Sequence, residues 1–256
     1  MKLFDLTGKT VLITGGYGHL GATMARGVAD FGADVFVLGR SREKFDAVFA
    51  DDRRVRFVRC DIADTSSIRD AYSTVSRTGA AIDALIVNGI YFRGKDPMHV
   101  SDDDWAYSID GALNSAYRCL REAGPYFVVQ GHGSVINISS MYGMVSPDFT
   151  VYDVAPESLN PPHYGAAKAA LIQMTRYFAH FLGPSGVRVN AISPGAFPDP
   201  RVQENQRFID ALKRKTALGR IGDPADLIGA AVFLASDASA YVTGHNLVVD
   251  GGWTAA

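Results

Sequence analysis

Short apolar runs alternate with helix-length amphipathic stretches from one end of this 256-residue chain to the other. No other feature constrains the fold as much. The runs are TVLIT (10–14), DVFVLG (34–39), VRFVRC (55–60), ALIVNG (84–89), SVINIS (134–139), VRVNAIS (187–193) and NLVVD (246–250). Runs this rich in Val and Ile, apolar on both faces, suit parallel strands covered from both sides by helices. Between them, Leu20, Met24, Val28 and Phe31 recur at helical spacing, and 65–77, 105–129, 164–182 and 224–235 read as further helices. The expected fold is α/β: a single doubly wound parallel sheet (Rossmann fold) with helices on both faces. No linker, low-complexity tract or repeat divides the chain, so residues 1–256 read as one domain for dinucleotide binding and catalysis.

A chain that is 47% hydrophobic has ample material for such a core. A net charge of -2 gives no reason to expect nucleic acid or an anionic membrane as partner. No stretch approaches the roughly 18 apolar residues of a membrane helix. The opening MKLFDLTGKTVLITGG runs straight into a strand without the features of a secretory signal. Cys60 and Cys119 lie far apart and form no CxxC pair, which predicts buried thiols in a reducing cytoplasm. No metal site is expected.

After the first strand comes TGGYGHLG (14–21), with Gly15, Gly18 and Gly21 three apart. A glycine turn between strand and helix lets the backbone approach a pyrophosphate, and the helix N-terminus offers unpaired N–H donors. Tyr17, His19 and Leu20 complete this candidate cofactor loop. His19 either lines the phosphate site or starts the helix at the surface. The second strand ends in Gly39 and Arg40, with Arg42 nearby and no acidic residue to meet a ribose. A guanidinium pairs well with a 2′-phosphate, so NADP(H) is favoured, with NAD(H) as the alternative. Asp61, followed by Ile62, is placed either to accept from an adenine amine or to serve as a cap or turn residue.

Tyr164 and Lys168 are four apart on a helix and share a face. An ammonium there is expected to lower the tyrosine pKa and make it a usable acid/base. The preceding strand ends in Ser139 and Ser140, at the sheet edge where doubly wound enzymes hold ligands.

In these stretches, and in VRVNAISPG, GRIGDPADL and SAYVTGHNLVVDGGW, the chain resembles the short-chain dehydrogenase/reductase family, in its short single-domain branch. Glycines three apart are more usual in the longer sugar-nucleotide epimerases, but those need a further domain of roughly 100 residues. The resemblance implies that Tyr164 moves the proton at the carbonyl oxygen, Lys168 holds the nicotinamide ribose, and Ser140, rather than Ser139, orients the substrate. It also implies that Asn88 and Gly89 lie near the adenosine side and Pro194 and Gly195 near the nicotinamide. His19 stands where the family more often has glycine. The family's relay asparagine falls on Ala112, with Asn114 two residues on, and a threonine usual after the PG is missing from PGAFPDP. Ser140 and Tyr164 are about twice as far apart as usual, and Tyr152, at nearly the usual spacing, is followed four on by Pro156. Residues 144–162 therefore read as an inserted loop forming a substrate wall or an interface element, and 196–219 as a substrate lid. The polar Asp199, Arg201, Asn205 and Arg207 read either as a charged, solvent-facing helix or as lid residues that suggest a polar alcohol or ketone, a sugar or sugar acid. The rival readings are a dinucleotide-binding regulatory or scaffold protein with impaired catalysis, and an epimerase-like activity. The resemblance implies a homotetramer, or a homodimer, in which helices 105–129 and 164–182 pair with their copies and Ala166, Ala169 and Ala170 allow close approach.

Overall fold

The structure, a computed structural model describing residues 2–94 and 96–255, turns every apolar run into a strand. These are β1 (Thr10–Thr14), β2 (Asp34–Gly39), β3 (Val55–Arg59), β4 (Ala84–Val87), β5 (Gly133–Ile138), β6 (Val187–Pro194) and β7 (Asn246–Val249). They form one parallel sheet in the order β3-β2-β1-β4-β5-β6-β7. Around it lie α1 (His19–Asp30), α2 (Arg42–Phe49), α3 (Thr65–Ser76), α4 (Asp102–Ile109), α5 (Ser115–Gln130) and α6 (Pro162–Leu182), then α7 (Pro200–Gln203), α8 (Gln206–Lys213) and α9 (Ile228–Ala235).

Side chains alternate across a strand, so each strand feeds two cores. Val11 and Ile13 pack with Met24 of α1 and Val232 of α9. Leu12 faces the other way, into a cluster with Ile68, Leu120, Phe127 and Leu171 from α3, α5 and α6. Both faces being covered is why the strands read as unbroken apolar runs. The sheet is doubly wound as expected, and its strand order reverses between β1 and β4, which opens a crevice beyond their carboxyl ends. Cys60 and Cys119 are free and buried in the second core, where burial pushes the Cys119 thiol up to about 12.

Two local expectations change. The helix expected over 105–129 is broken by a π-helical turn at Asp110–Asn114, between α4 and α5. A π turn inserts an extra residue and re-aims the side chains beyond it. Here the Gly111 backbone packs so tightly on Tyr91 that an added Cβ would lie 1.9 Å from the Tyr91 carbonyl oxygen. Phe31, placed on the buried face by its spacing, falls just past the end of α1 and is exposed.

A third, smaller cluster lies apart from the two sheet cores. Val151, Tyr152 and Ala155 pack against Phe208, Ile209 and Leu212 of α8. Asp148 and Lys215, two residues past the end of α8, form an ion pair beside this cluster. Segment 144–162 is therefore a packed wall containing 3₁₀ turns at Phe149–Val154 and Pro156–Ser158, not an open excursion.

Candidate active site

The crevice contains a cavity of about 380 Å³. Gly15, Tyr17, Gly18, His19 and Leu20 line it from the first turn, Arg40 from the end of β2, Asp61 and Ile62 from beyond β3, and Asn88 and Gly89 from beyond β4. Gly15 has a φ of +62°, which favours glycine, and a Cβ on Gly21 would lie 2.4 Å from the Gly15 carbonyl oxygen. Gly18 has an ordinary φ of -80°. The turn thus depends most on Gly15 and Gly21, while a Cβ on Gly18 would lie 3.3 Å from the Gly15 carbonyl oxygen, a close but less severe approach. Asn88 clamps it: Nδ2 donates to the Thr14 and Gly15 carbonyls at 3.2 and 3.1 Å. The N–H groups of Asn88 and Gly89 donate to Thr14 Oγ1 at 3.0 and 2.9 Å.

Tyr17 links this turn to the next, its hydroxyl accepting from the Arg40 and Ser41 N–H groups at 3.0 and 3.3 Å. The Arg40 side chain is exposed at the cleft, while Arg42 is paired with Asp46 at 2.7 Å. Asp61 has a turn role besides facing the cleft, since its carboxylate accepts from Ala63 N–H at 3.0 Å. The cap of α3 is Asp64 instead. His19 is the first residue of α1 and, partly buried, also lines the cleft.

A second cavity of about 320 Å³ lies against Ser140 and Tyr164. Their hydroxyls are hydrogen bonded, and Ser140 Oγ also accepts from Tyr142 N–H at 3.2 Å. Ser139 is committed elsewhere, donating to the Lys168 carbonyl at 2.8 Å, which separates the two serines. Lys168 is buried, its Nζ donating to the Ile138 carbonyl at 2.6 Å and lying 5.6 Å from the Tyr164 ring centroid. Pro194 closes β6, and Gly195 lines this cavity, tied by its N–H to the Val249 carbonyl at 2.9 Å.

The electrostatics differ from the expectation. Burial holds the Tyr164 hydroxyl above its ordinary 10, and the bond to Ser140 only partly offsets this. Burial also lowers Lys168 to about 8. A tyrosine pKa depressed by the lysine is therefore not the net result, because desolvation dominates and acts on both groups.

The question of the relay asparagine is answered by the π turn. Ala112 is buried, whereas Asn114 is exposed and donates to Asp110 at 3.2 Å. Asp110 is gripped by Arg118 at 2.8 and 2.9 Å and by the Tyr91 hydroxyl, and the Arg118 bonds hold its carboxyl below the usual carboxylate range. Asn114 thus belongs to this outer cluster and does not replace the missing residue. No motif in the sequence announces the cluster.

The residues that suggested a polar pocket lie elsewhere. Asp199, Arg201 and Arg207 are exposed; Asp199 caps α7 and Asn205 caps α8. The cavity instead receives Phe197, Val202, Phe208 and Leu212 from that segment. Besides Ser140 and Tyr164, its polar lining comes from Tyr142, which no sequence pattern marks, and from Tyr152, Ser158 and Asn160 of the 144–162 segment. Tyr152 is a wall residue of this cavity, hydrogen bonded to Tyr142.

Comparison with known proteins agrees with this fold. The family described as Enoyl-(Acyl carrier protein) reductase matches residues 18–254. Gluconate 5-dehydrogenase of Gluconobacter oxydans is 31% identical, covering 98% of this chain and 97% of its own. 2-Dehydro-3-deoxy-D-gluconate 5-dehydrogenase of Dickeya dadantii is 32% identical, with 100% and 99% covered. The crystal structure of a gluconate 5-dehydrogenase from Burkholderia cenocepacia, in complex with NADP and tartrate, superposes with a TM-score of 0.88 at 29% identity, covering 100% and 98%.

Proposed function

This chain belongs to the short-chain dehydrogenase/reductase family, and from that premise we propose that it passes a hydride between NADP(H) and a small polyhydroxylated ketone or alcohol. The observation that carries the reading is that Ser140 and Tyr164 share one cavity wall, with the buried Lys168 ammonium behind it, 5.6 Å from the Tyr164 ring centroid. The first turn suits a dinucleotide, since a Cβ on Gly15 or Gly21 would strike Gly89 or the Gly15 carbonyl oxygen, so glycines there let the backbone close tightly between strand and helix. When bound, the nicotinamide supplies and accepts the hydride. Gly15, Tyr17, Gly18, His19 and Leu20 surround the pyrophosphate, and Asp61, Ile62, Asn88 and Gly89 the adenosine. Pro194 and Gly195 flank the nicotinamide. Tyr164 carries the proton at the substrate oxygen, Ser140 orients that oxygen, and Lys168 holds the ribose. Residues 144–162 and 196–219 act as wall and lid of the single domain.

The relatives' names point to sugar acids, and the cavity lining of this chain favours a neutral sugar. Among the described residues that line it, none is charged. A carboxylate buried there would find no cationic partner among those residues, which is costly. The test is a panel of ketoses, polyols and sugar acids with both cofactors, followed by the absorbance of the reduced nicotinamide. In the same assay, Arg40→Glu should weaken NADPH by at least about tenfold and NADH far less, because a charge-assisted bond to the 2′-phosphate becomes a repulsion. Equal effects on both cofactors would overturn the choice of NADP(H).

The reading includes a homotetramer, or a homodimer, in a reducing, cytoplasmic setting. Two free, buried thiols support the setting. Among the described residues, no helix is long and apolar enough to cross a membrane. Exposed aromatic surface on α6 supports the assembly: Tyr177 and Phe181 are 64% and 65% exposed and stack on each other. Ala166 and Ala169 are also exposed on that helix. Light scattering should give a mass that is a multiple of the chain's; a monomer mass would contradict the assembly.

A further inference from the structure

One hydrogen-bonded cluster in the second cavity has no part in moving the hydride or the proton. The Tyr142 and Tyr152 hydroxyls are 2.8 Å apart, and Asn160 Nδ2 donates to the Tyr152 oxygen at 3.0 Å. Both tyrosines are more than nine-tenths buried, at 7% and 5% exposure, and all three residues line the cavity that holds Ser140 and Tyr164.

Proton counting shows what the cluster has to offer. Each phenol carries one proton and can accept as well as donate. Asn160 supplies its own hydrogen to Tyr152, so the bond between the two phenols uses only one of their two protons. Whichever hydroxyl donates within the pair, the other retains a proton with no acceptor among the described residues. A buried donor left unpaired is unfavourable and is usually satisfied by a ligand or water. Burial pushes the Tyr142 hydroxyl above its usual range, so it remains a donor throughout the physiological pH range.

We propose that the Tyr142–Tyr152 pair is a specificity site that donates one hydrogen bond to a second, uncharged oxygen of the substrate, separate from the oxygen that reacts at Tyr164. This rests on the hydride-transfer reading above and adds to it a requirement for a hydroxyl or carbonyl group beside the reacting one. Asn160 is a positioning residue, because its bond occupies a lone pair of Tyr152.

The experiment compares kcat/KM for α-hydroxycyclohexanone and cyclohexanone, with NADPH, in the wild type and in variants. The wild type should prefer the hydroxyketone by about tenfold or more, the value of one buried hydrogen bond. The double variant Tyr142→Phe/Tyr152→Phe should bring the ratio close to one. Either single substitution should retain most of the preference, since one phenolic proton is still available. A double variant that loses activity equally on both ketones, or keeps the ratio, would overturn the proposal. A wild type that binds NADPH, seen by its fluorescence, yet reduces neither ketone would overturn the hydride-transfer reading and this proposal with it.

Discussion

Tyr164→Phe is expected to lower kcat for ketone reduction by at least about a hundredfold, the usual contribution of a positioned acid or base. The dissociation constant of NADPH should change by no more than about threefold, the size of a modest neutral hydrogen bond. Phenylalanine keeps the ring, and hence the packing against Phe92 at 5.8 Å between centroids, so the loss reports on the hydroxyl alone. The pKa raised by burial fixes which form of the hydroxyl is present at neutral pH. A hydroxyl held above its ordinary value is protonated and ready to donate, which suits reduction of a carbonyl. Reduction should therefore be at full rate below the tyrosine pKa and fall as pH rises through it. Alcohol oxidation needs the phenolate and should climb over the same interval. Steady-state rates in both directions against pH, with NADPH binding by fluorescence, provide the test. A variant retaining more than about a tenth of wild-type kcat would remove Tyr164 from the proton transfer.

The sheet was legible because burial on both faces leaves each strand as a continuous apolar run, and the helices between them follow from spacing. Tyr164 and Lys168 were legible because four residues make one helical turn. The choice of Ser140 over Ser139 has a physical basis that only the packing supplies. Successive side chains point to opposite sides, and Ser139 is turned to the Lys168 carbonyl. The π turn at Asp110–Asn114 left no compositional trace, since one extra residue in a helix changes neither propensity nor periodicity enough to be read. The lid misled for a different reason. In α8 only Phe208, Ile209, Ala211 and Leu212 are buried, and the polar residues around them, which dominate the string, face solvent. Tyr142 and Asn160 were invisible because their partnership with Tyr152 spans 18 residues and depends on how the 3₁₀ turns fold back. Depth of burial, which governs the ionisation of Tyr164 and Lys168, is a tertiary property that no local pattern encodes.

Lys168→Met should abolish turnover and yet make the folded chain more stable at pH 7. Burial lowers Lys168 from 10.5 to about 8, so its ammonium is disfavoured in the folded state. That shift corresponds to roughly 3 kcal/mol of destabilisation wherever the group is charged in both states, which is below pH 8. Methionine removes this cost and fills a similar volume. It also leaves the Ile138 carbonyl without its donor, a loss of about 1 to 2 kcal/mol. The net gain is about 1 to 2 kcal/mol, or a rise in Tm of some 2 to 8 °C for a chain of this size. The pH dependence separates this account from ordinary repacking. Between pH 8 and 10.5 the unfolded wild type binds a proton on this lysine that the folded wild type does not, so wild-type stability rises by about 1.4 kcal/mol per pH unit from this group. The variant has no such group. Its advantage should shrink across that interval and reverse near its upper end, where only the lost hydrogen bond remains. Denaturant titrations of both proteins at several pH values measure the difference directly. A stability difference that does not change with pH would mean that Lys168 is not held at a depressed pKa in the folded chain.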